Sequence, residues 1–277
     1  MSKVEVELKA APFALLATSL LLSACATSRN ESLAVIEPTL AASHRPPAHR
    51  ARDTERRPRE TLEFFGLEPD MTVVEVWPGA GWYTEILAPL LRERGRLYAA
   101  HLDPDSSEYA RKTVEAFRAK LAARPDVYDK VIVTALGAPG TKNEIAPPGS
   151  ADMVLTFCDL HTWMMLGWEK QAFEAMHAAL KPGGVLGIVE HRADPDRPQD
   201  PKAASGYVDE RYAIELIESV GFKLVGRSQV NANPKDTKNY EQGVWALPPT
   251  FAAGEAERYR AIGESDRFTL RFVKVAR

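Results

Sequence analysis

The chain has 277 residues, of which 45% are hydrophobic and 26% charged, and its formal net charge is −3. That length and hydrophobic fraction are enough for one sizeable core, so the chain has the composition of an ordinary globular enzyme. The small negative charge argues against a general affinity for nucleic acid, and we expect no nucleic-acid partner.

The N-terminal region begins with an apolar run from Ala10 to Leu22, which continues into Leu22-Ser23-Ala24-Cys25. The run is short for a membrane-spanning helix but has the length of a signal-peptide apolar segment, with small residues before the cut. It resembles a bacterial lipoprotein signal. The resemblance implies cleavage before Cys25, a lipid on that thiol, and a periplasmic, membrane-anchored location in the cell envelope. A lipidated Cys25 would leave Cys158 with no partner for a disulfide, since the chain has only these two cysteines.

The charges at the start fit this signal poorly, because Glu5 and Glu7 accompany Lys3 and Lys9. The alternative is a cytoplasmic chain whose start is assigned too early. Residues 26–51 are rich in Ala, Ser, Pro and Arg and have no sustained apolar period, which is typical of a flexible linker. The sequence therefore predicts a signal peptide (residues 1–25), a linker (26–51) and one domain (52–277).

Strand and helix patterns alternate along this domain, after a short helix that ends at Gly66. Strands separated by helix-length segments imply parallel βαβ units, and hence an α/β, Rossmann-like, doubly wound sheet. Such sheets bind ligands outside the carboxyl ends of their strands. The predicted elements are strand 73–76, a helix from residue 82, strand 96–101, helix 107–121, strands 130–135 and 153–157, helix 169–180, strand 185–190, helix 210–219, strand 223–229, and strand candidates 243–247 and 268–275.

The segment Val73–Tyr83 has the pattern of a cofactor loop. A β-branched strand containing Glu75 leads into a turn with Gly79 and Gly81 and then into a helix. The third glycine of a dinucleotide fingerprint would fall on Thr84, and no Lys-Ser or Lys-Thr pair follows, so NAD, FAD and P-loop nucleotides are disfavoured. What remains is a glycine-poor version of E-x-G-x-G-x-G in which Trp77 occupies the first glycine site.

Several segments together resemble the class I S-adenosylmethionine-dependent methyltransferases. Besides the glycine turn they are Asp103 after the second strand, Asp152–Phe157 as a strand opened by an acid, and Leu180-Lys181-Pro182-Gly183-Gly184 before the next strand. The resemblance covers about residues 60–229. It implies a mostly parallel seven-stranded sheet whose last strand is antiparallel, and S-adenosylmethionine as the cofactor. Four shorter segments look more narrowly like predicted bacterial methyltransferases that often carry export signals: Glu60-Thr61-Leu62, Phe64-Phe65-Gly66, Trp77-Pro78-Gly79 and Trp82-Tyr83-Thr84.

The resemblance also assigns cofactor-binding roles by position. Gly79 and Gly81 would lie against the methionine and ribose parts of the cofactor. Glu75 would orient the loop or reach the amino group through water. Asp103 would accept hydrogen bonds from the ribose hydroxyls, because its two oxygens can accept both at once. His101 and Asp105 are the nearby alternatives for that task.

Three aromatic residues near the turn have two interpretations. Trp77, Trp82 and Tyr83 could place their ring faces near a sulfonium, which cation–π attraction favours. The alternative for each of them is ordinary core packing.

Candidate catalytic groups follow two neighbouring strands of the inferred sheet, with Asp159 and His161 after one and Glu190 and His191 after the other. Histidine titrates near the working pH, so we favour a histidine base oriented by a carboxylate. A metal site from these four residues has suitable ligand types but no diagnostic spacing, and we predict no metal. The remaining alternative is histidines that only satisfy hydrogen bonds at strand ends.

The sequence therefore predicts an S-adenosylmethionine-dependent methyltransferase that acts on a small molecule or lipid. The first alternative is a non-catalytic envelope lipoprotein that uses the fold to bind a nucleoside-like or other small ligand. It is a serious alternative because S-adenosylmethionine is made in the cytoplasm, and an exported enzyme would be separated from it. A second alternative is cleavage or rearrangement of a sulfonium compound without an acceptor.

Overall fold

The computed structural model describes residues 36–252, 254 and 256–275, so the predicted signal peptide and Cys25 lie outside the described residues. Within those ranges no helix is both long and apolar enough to cross a bilayer. The strands are β1 (Thr72–Val76), β2 (Arg96–His101), β3 (Ile132–Leu136), β4 (Asn143–Glu144), β5 (Ala151–Phe157), β6 (Leu180–His191), β7 (Phe222–Ser228) and β8 (Arg267–Lys274).

The helices connect these strands and cover both faces of the sheet. Residues 36–41 are helical, and Gly243–Ala246 form a 3₁₀ turn. The remaining helices are α1 (Pro47–Arg50), α2 (Asp53–Arg56), α3 (Pro58–Phe65), α4 (Thr84–Leu91), α5 (Glu108–Ala123), α6 (Pro125–Tyr128), α7 (Leu160–Leu166), α8 (Glu169–Ala179), α9 (Glu210–Ser219) and α10 (Ala256–Arg260).

The eight strands form one sheet in the order β4-β3-β2-β1-β5-β6-β8-β7. β1 pairs in parallel with both β2 and β5, whereas β8 runs antiparallel between β6 and β7. The predicted α/β, Rossmann-like, doubly wound and mostly parallel sheet is therefore confirmed, as is its antiparallel last strand. The eighth strand is β4, a two-residue addition at the edge beyond the seven that we predicted. From β1 the chain adds β2, β3 and β4 on one side, and it then returns to add β5 on the other side of β1. The boundary between β1 and β5 is therefore a topological switch point.

Two elements differ from the sequence pattern. Residues 243–247 turn instead of forming a strand. Gly243 has φ +56°, and a Cβ there would lie 2.2 Å from the carbonyl oxygen of Ser205, so the segment packs as a turn against a neighbouring loop. The helix α7 is absent from the prediction, although it brings residues after β5 over the edge of the sheet.

Apolar clusters lie on both faces of the sheet. One includes Trp163 and Phe173 from α7 and α8, and the other includes Ile86 and Phe117 from α4 and α5. Burial of such side chains supplies the main driving force for the fold. The sheet and its two layers hold the carboxyl ends of β1, β2, β5 and β6 at fixed positions along one edge.

The described part of the predicted linker is packed against the domain. Arg45 is fully buried, donates to Asp53 at 2.7 and 2.8 Å, and lies 3.8 Å from a carboxylate oxygen of Glu85. His49 Nδ1 lies 2.9 Å from the same Glu85 carboxylate, which is itself buried. The prediction of a flexible linker is therefore wrong for residues 36–51, because their basic side chains find a buried acidic partner.

Candidate active site

A cavity of about 490 Å³ opens at the carboxyl ends of β1, β2, β3 and β5. This is the edge, and the switch point, at which doubly wound sheets bind ligands. Two carboxylates reach it, Asp103 after β2 and Asp159 after β5. Its other walls include Leu102, Ala138, Thr162 and Trp168.

Gly79 forms one wall of this cavity. It has φ +55°, and a Cβ built on it would meet no atom within 4 Å, so the backbone faces open space. The Nδ1 of His101 accepts the N–H of Leu102 at 2.7 Å, which leaves Nε2 to donate to the Gly79 carbonyl at 3.2 Å. Burial lowers the pKa of His101 and favours this neutral form. His101 lines the cavity but also fixes the turn.

Gly81, which we predicted to lie against the cofactor, and Glu75, which we predicted to orient the loop or reach the amino group through water, are not in the cavity lining. A Cβ on Gly81, whose φ is +81°, would lie 3.0 Å from the Phe117 ring of α5. Glu75 is 2% exposed and accepts a hydrogen bond from Thr84 Oγ1 at 2.6 Å. Burial raises the pKa of Glu75 to about 7. In this position Glu75 holds the start of α4 through Thr84.

Trp77 occupies the first glycine site and adopts φ +45°. A residue other than glycine pays roughly 1–3 kcal/mol for that conformation. Its backbone N–H donates to Ala100 at 2.8 Å and its indole Nε1 to the Leu136 carbonyl at 2.8 Å. The ring packs edge-on against Trp163 and Trp168, with 5.6 Å between centroids in each pair. Trp77 therefore follows a backbone path suited to glycine while its side chain forms part of the cavity wall.

Trp82 and Tyr83 do not line the cavity, and the core-packing alternative describes both. The guanidinium groups of Arg45 and Arg56 lie 5.2 and 4.9 Å from the ring centroids of Trp82. Tyr83 stacks on Phe157, with 3.5 Å between centroids and an interplanar angle of 10°. Neither ring is available to a sulfonium in the cavity.

Asp103 lies in the cavity wall with 5% of its surface exposed. One carboxylate oxygen accepts the backbone N–H of Asp105 and the other that of Lys142, both at 3.1 Å. Each oxygen keeps a second acceptor position. The backbone bonds therefore fix the carboxylate while leaving it able to accept two hydroxyls, whereas the Asp105 side chain is exposed to solvent.

Three of the four predicted catalytic residues lie together at the carboxyl ends of β5 and β6, with Glu190 and His191 as the last residues of β6. Glu190 is fully buried, and one of its oxygens accepts Nδ1–H of His161 at 3.1 Å and the backbone N–H of His191 at 2.8 Å. The two imidazole rings are 5.3 Å apart. Because Nδ1 of His161 donates to the carboxylate, its Nε2 is the atom able to accept a proton.

Asp159 is separate from that group and lies in the wall of the cavity at the switch point. Its carboxylate accepts Thr156 Oγ1 at 2.9 Å, and burial raises its pKa well above the usual range. The carboxylate that orients His161 is therefore Glu190 and not Asp159.

His191 and Cys158 complete the group at the carboxyl ends of β5 and β6. His191 Nδ1 hydrogen-bonds Ser265, and burial lowers the pKa of His191 well below 6.5, so the ring is neutral at pH 7. Burial also raises the pKa of the Cys158 thiol, which stays protonated. Potential ligand atoms of Cys158, Glu190 and His191 lie within 4.8 Å of one another. This set differs from the four-residue metal site considered from the sequence.

Sequence reasoning missed several residues of this edge. Trp168 and Tyr109 line the cavity, Ser265 hydrogen-bonds His191, and Arg267 pairs with His191 where β8 runs beside β6. Tyr109 had a signal, because it follows the predicted ribose acceptor on the next helix. Arg267 and Ser265 had none, because only the pairing of β8 with β6 brings them to this place.

Comparison with solved structures identifies the fold. A SAM dependent methyltransferase from Aquifex aeolicus is 19% identical over 81% of this chain and 93% of its own, with a TM-score of 0.54. The [4+2]-cyclase SpnF is 15% identical over 80% and 81%, with a TM-score of 0.55. The S-adenosylmethionine-dependent methyltransferase SibL is 14% identical over 83% and 57%, with a TM-score of 0.52.

By sequence, no family model and no curated protein matches the chain. The structural similarity extends over four fifths of the chain, and the strand order and the antiparallel β8 agree with it. The chain therefore has the class I methyltransferase fold.

Proposed function

We propose that this chain is an S-adenosylmethionine-dependent methyltransferase that acts on a small molecule or lipid. The observation that carries the proposal is the 490 Å³ cavity at the switch point, with Gly79 in one wall and Asp103 at the end of β2. Its volume falls within the roughly 300–1,000 Å³ of ligand sites. Similarity to methyltransferases that are described as dependent on this cofactor supports the proposal.

The cavity residues fit that cofactor. The open space over Gly79 admits a ligand close to the backbone, and Asp103 keeps acceptor positions for two ribose hydroxyls. Leu102 and Ala138 offer apolar surface to a flat base, and Asp159 offers a carboxyl oxygen to the amino acid part. When bound, the cofactor supplies an electrophilic methyl group on a sulfonium.

In this proposal the protein aligns the acceptor and removes its proton. His161 is the base, because Glu190 holds Nδ1 and leaves Nε2 as the proton acceptor. Trp245 lies 6.0 Å from the His161 ring and Tyr207 lies 6.5 Å from the His191 ring, so aromatic surfaces limit access of water. Alignment and exclusion of water are the main contributions a protein makes to an in-line displacement.

Calorimetric titration of the full chain with S-adenosylmethionine tests the cofactor assignment. We expect saturable binding with one site per chain. Absence of heat of binding at millimolar cofactor would remove the methyltransferase proposal.

The second candidate is a non-catalytic envelope lipoprotein that binds a nucleoside-like or other small ligand. The observation that favours it is the apolar run before Cys25, because S-adenosylmethionine is made in the cytoplasm and an exported enzyme would be separated from it. Incubation with cofactor labelled on its methyl group, followed by analysis of lipid and small-molecule fractions, separates the two candidates. Transfer of label that is lost in His161→Ala supports catalysis, whereas cofactor binding without transfer to any fraction supports the second candidate.

We further propose that the protein is held at the cell envelope by a lipid on Cys25. The support is the apolar run before Leu22-Ser23-Ala24-Cys25 and the narrower resemblance to methyltransferases with export signals. Metabolic labelling with a tagged fatty acid should mark the wild-type chain and not Cys25→Ala. Label that persists in Cys25→Ala, or a wild-type chain found unlabelled in the cytoplasm, would contradict this location.

A further inference from the structure

Three guanidinium groups converge on one carboxylate next to the candidate base. Arg52 Nε lies 2.6 Å, Arg56 Nε 3.2 Å and Arg267 Nη1 2.9 Å from the oxygens of Glu264. Burial raises the pKa of Glu264, but the guanidinium charges outweigh that effect and lower it, so the carboxylate is ionised. Within these ion pairs three positive charges face one negative charge. We call Arg52, Arg56, Arg267 and Glu264 the arginine cluster.

The adjacent ionic network does not pair with Arg52 or Arg56. Asp266 lies 3.0 Å from Lys238 and 3.6 Å from Arg192. Asp236, also buried, accepts the backbone N–H of Asp266 and the hydroxyl of Tyr207. Arg192 also lies 3.5 Å from Glu210, and no acid of this network forms an ion pair with Arg52 or Arg56.

Two members of the cluster have unused donors. Arg52 and Arg56 contact Glu264 through Nε, and their terminal Nη atoms donate to no group in the described ranges of the chain. Their side chains are only 24% and 20% exposed. Arg56 is further fixed against the Trp82 ring. Partly exposed guanidinium groups whose terminal donors have no acceptor in the described part of the chain can donate them to an anion that arrives from solvent.

The cluster borders the candidate acceptor site. Arg267 pairs with His191 where β8 runs beside β6, and His191 Nδ1 hydrogen-bonds Ser265, the residue after Glu264. The positive charges of Arg56 and Arg267 also act on the pKa of both Cys158 and His191. The His191 ring is in turn 5.3 Å from that of His161. The donor atoms of Cys158, Glu190 and His191 would suit a metal cation, but neighbouring guanidinium charges oppose a cation and attract an anion.

We propose that Arg52 and Arg56 bind an oxyanion, either a carboxylate or a phosphate, that is part of the methyl acceptor and thereby hold the acceptor beside His161. The planar guanidinium group matches both anions through paired parallel hydrogen bonds. That the anion belongs to a methyl acceptor rests on the proposed function, whereas the anion site itself rests on the arginine cluster. The anion belongs either to a soluble metabolite or to a lipid headgroup.

Inorganic phosphate and succinate are the probes for this site. Each is titrated into the full chain without S-adenosylmethionine, at constant ionic strength set with sodium chloride, and the unfolding midpoint is followed. We expect a saturable rise in the midpoint for at least one probe. Loss of hydrogen bonds to a charged group weakens binding roughly 10- to 100-fold, which is the expected change in Arg56→Gln. Arg197→Gln, which makes the same charge change at an exposed side chain, should bind like wild type.

The same experiment contains the results that would overturn the proposal. No saturable response in wild type, or equal affinity in wild type, Arg56→Gln and Arg197→Gln, excludes an anion site in the cluster. If Arg56→Gln does not fold, Arg52→Gln replaces it, because Arg52 is not one of the two arginines that pack on Trp82. Because no cofactor is present, failure of cofactor binding cannot be mistaken for failure of the anion site.

Vesicles distinguish the two sources of the anion. If the anion is a lipid headgroup, phosphatidylglycerol vesicles should bind wild type more than Arg56→Gln, and phosphatidylcholine vesicles should show no difference. If it belongs to a soluble metabolite, phosphate or succinate should respond to Arg56→Gln while the vesicles do not. Both forms of the proposal would be contradicted if wild type and Arg56→Gln bound both vesicle types equally and neither phosphate nor succinate gave a response.

Discussion

The two halves of the sheet's carboxyl edge differ in what defines them. Over β1, β2 and β3 the cavity is shaped by packed aromatic and aliphatic side chains, with Asp103 held by backbone N–H groups. At the carboxyl ends of β5 and β6 the edge is crowded with ionisable groups, among them His161, Glu190 and His191. We refer to them as the cavity half and the ionic half. We therefore expect substitutions that change side-chain volume to damage the cavity half and substitutions that change charge to damage the ionic half.

The largest expected effect is on folding stability in the cavity half. Trp163 is fully buried and packs against Trp77, Trp168 and Phe173. Trp163→Ala should lower the free energy of unfolding by about 3–5 kcal/mol, because it leaves a cavity in a packed core. Denaturant unfolding followed by circular dichroism measures this value.

The matched substitution in the ionic half is Trp245→Ala, because Trp245 is only half-buried and lies over His161. It should cost clearly less stability than Trp163→Ala. Equal losses would mean that packing defines both halves, and the distinction would fail.

A pH-dependent effect comes next in size and concerns the buried Glu75. Burial raises its pKa to about 7 from 4.5. Between these values the folded state binds more protons than the unfolded state, so this group's contribution to stability falls as pH rises and the penalty is complete above pH 7. The Gln side chain in Glu75→Gln stays neutral and keeps an acceptor for Thr84. The free energy of unfolding of this variant should therefore exceed that of wild type by up to about 3 kcal/mol at pH 8.

The comparison is made by unfolding both proteins at pH 4 and pH 8. At pH 4 the two should be nearly equal, because Glu75 is protonated in both states. Glu241→Gln, at an exposed position, is the control and should follow wild type at both pH values. An advantage of Glu75→Gln that is the same at both pH values would contradict a proton-linked penalty.

A binding experiment tests the independence of the two halves. Asp103→Ala should raise the dissociation constant for S-adenosylmethionine roughly 10- to 100-fold, since hydrogen bonds to a charged group are lost, and should leave phosphate binding unchanged. Arg56→Gln should instead raise the dissociation constant for phosphate and leave S-adenosylmethionine binding unchanged. Asp105→Ala is the control for cofactor binding, because that side chain is exposed. If either substitution weakens both ligands equally, the halves share one site.

The smallest expected effect is a change in the pKa of the His191 imidazole. Burial, then His161, Arg267 and Arg56 lower the pKa of His191. Arg56→Gln should raise that pKa only in part, because burial, the largest cause, remains. Titration of the six histidines by NMR measures it, with Arg197→Gln as the control. A His191 resonance that titrates identically in all three proteins would remove the electrostatic link between the arginine cluster and His191.

Periodicity and strand ends account for what the sequence predicts well. Alternating patterns predict the sheet, and the carboxyl strand ends predict that Asp103 reaches a ligand site and that a histidine meets a carboxylate, which in the structure are His161 and Glu190. These are consequences of local spacing plus one topological rule. The same rule places Asp159 at the edge but cannot decide that it faces the cavity and not the histidines.

The contacts that the sequence does not predict join residues that are far apart in the chain. Arg52 meets Glu264 across 212 positions, and Arg45 meets Glu85 across 40. No local pattern marks such pairs, so the basic segment before the domain has the composition of a solvated linker. The role of Trp82 is likewise not predictable from the sequence, because only its position between two guanidinium groups shows that its ring is unavailable to a ligand.

Trp82 also joins the two halves mechanically. Arg56 of the arginine cluster packs on this ring together with Arg45, Arg45 lies beside Glu85, and Glu85 is bound by Lys120. Lys120 in turn donates to carbonyl oxygens of the glycine turn. Free energy passed along such a series of contacts acts equally in both directions. Any effect of an anion at Arg56 on affinity at the turn would therefore equal the effect of a ligand at the turn on affinity for the anion.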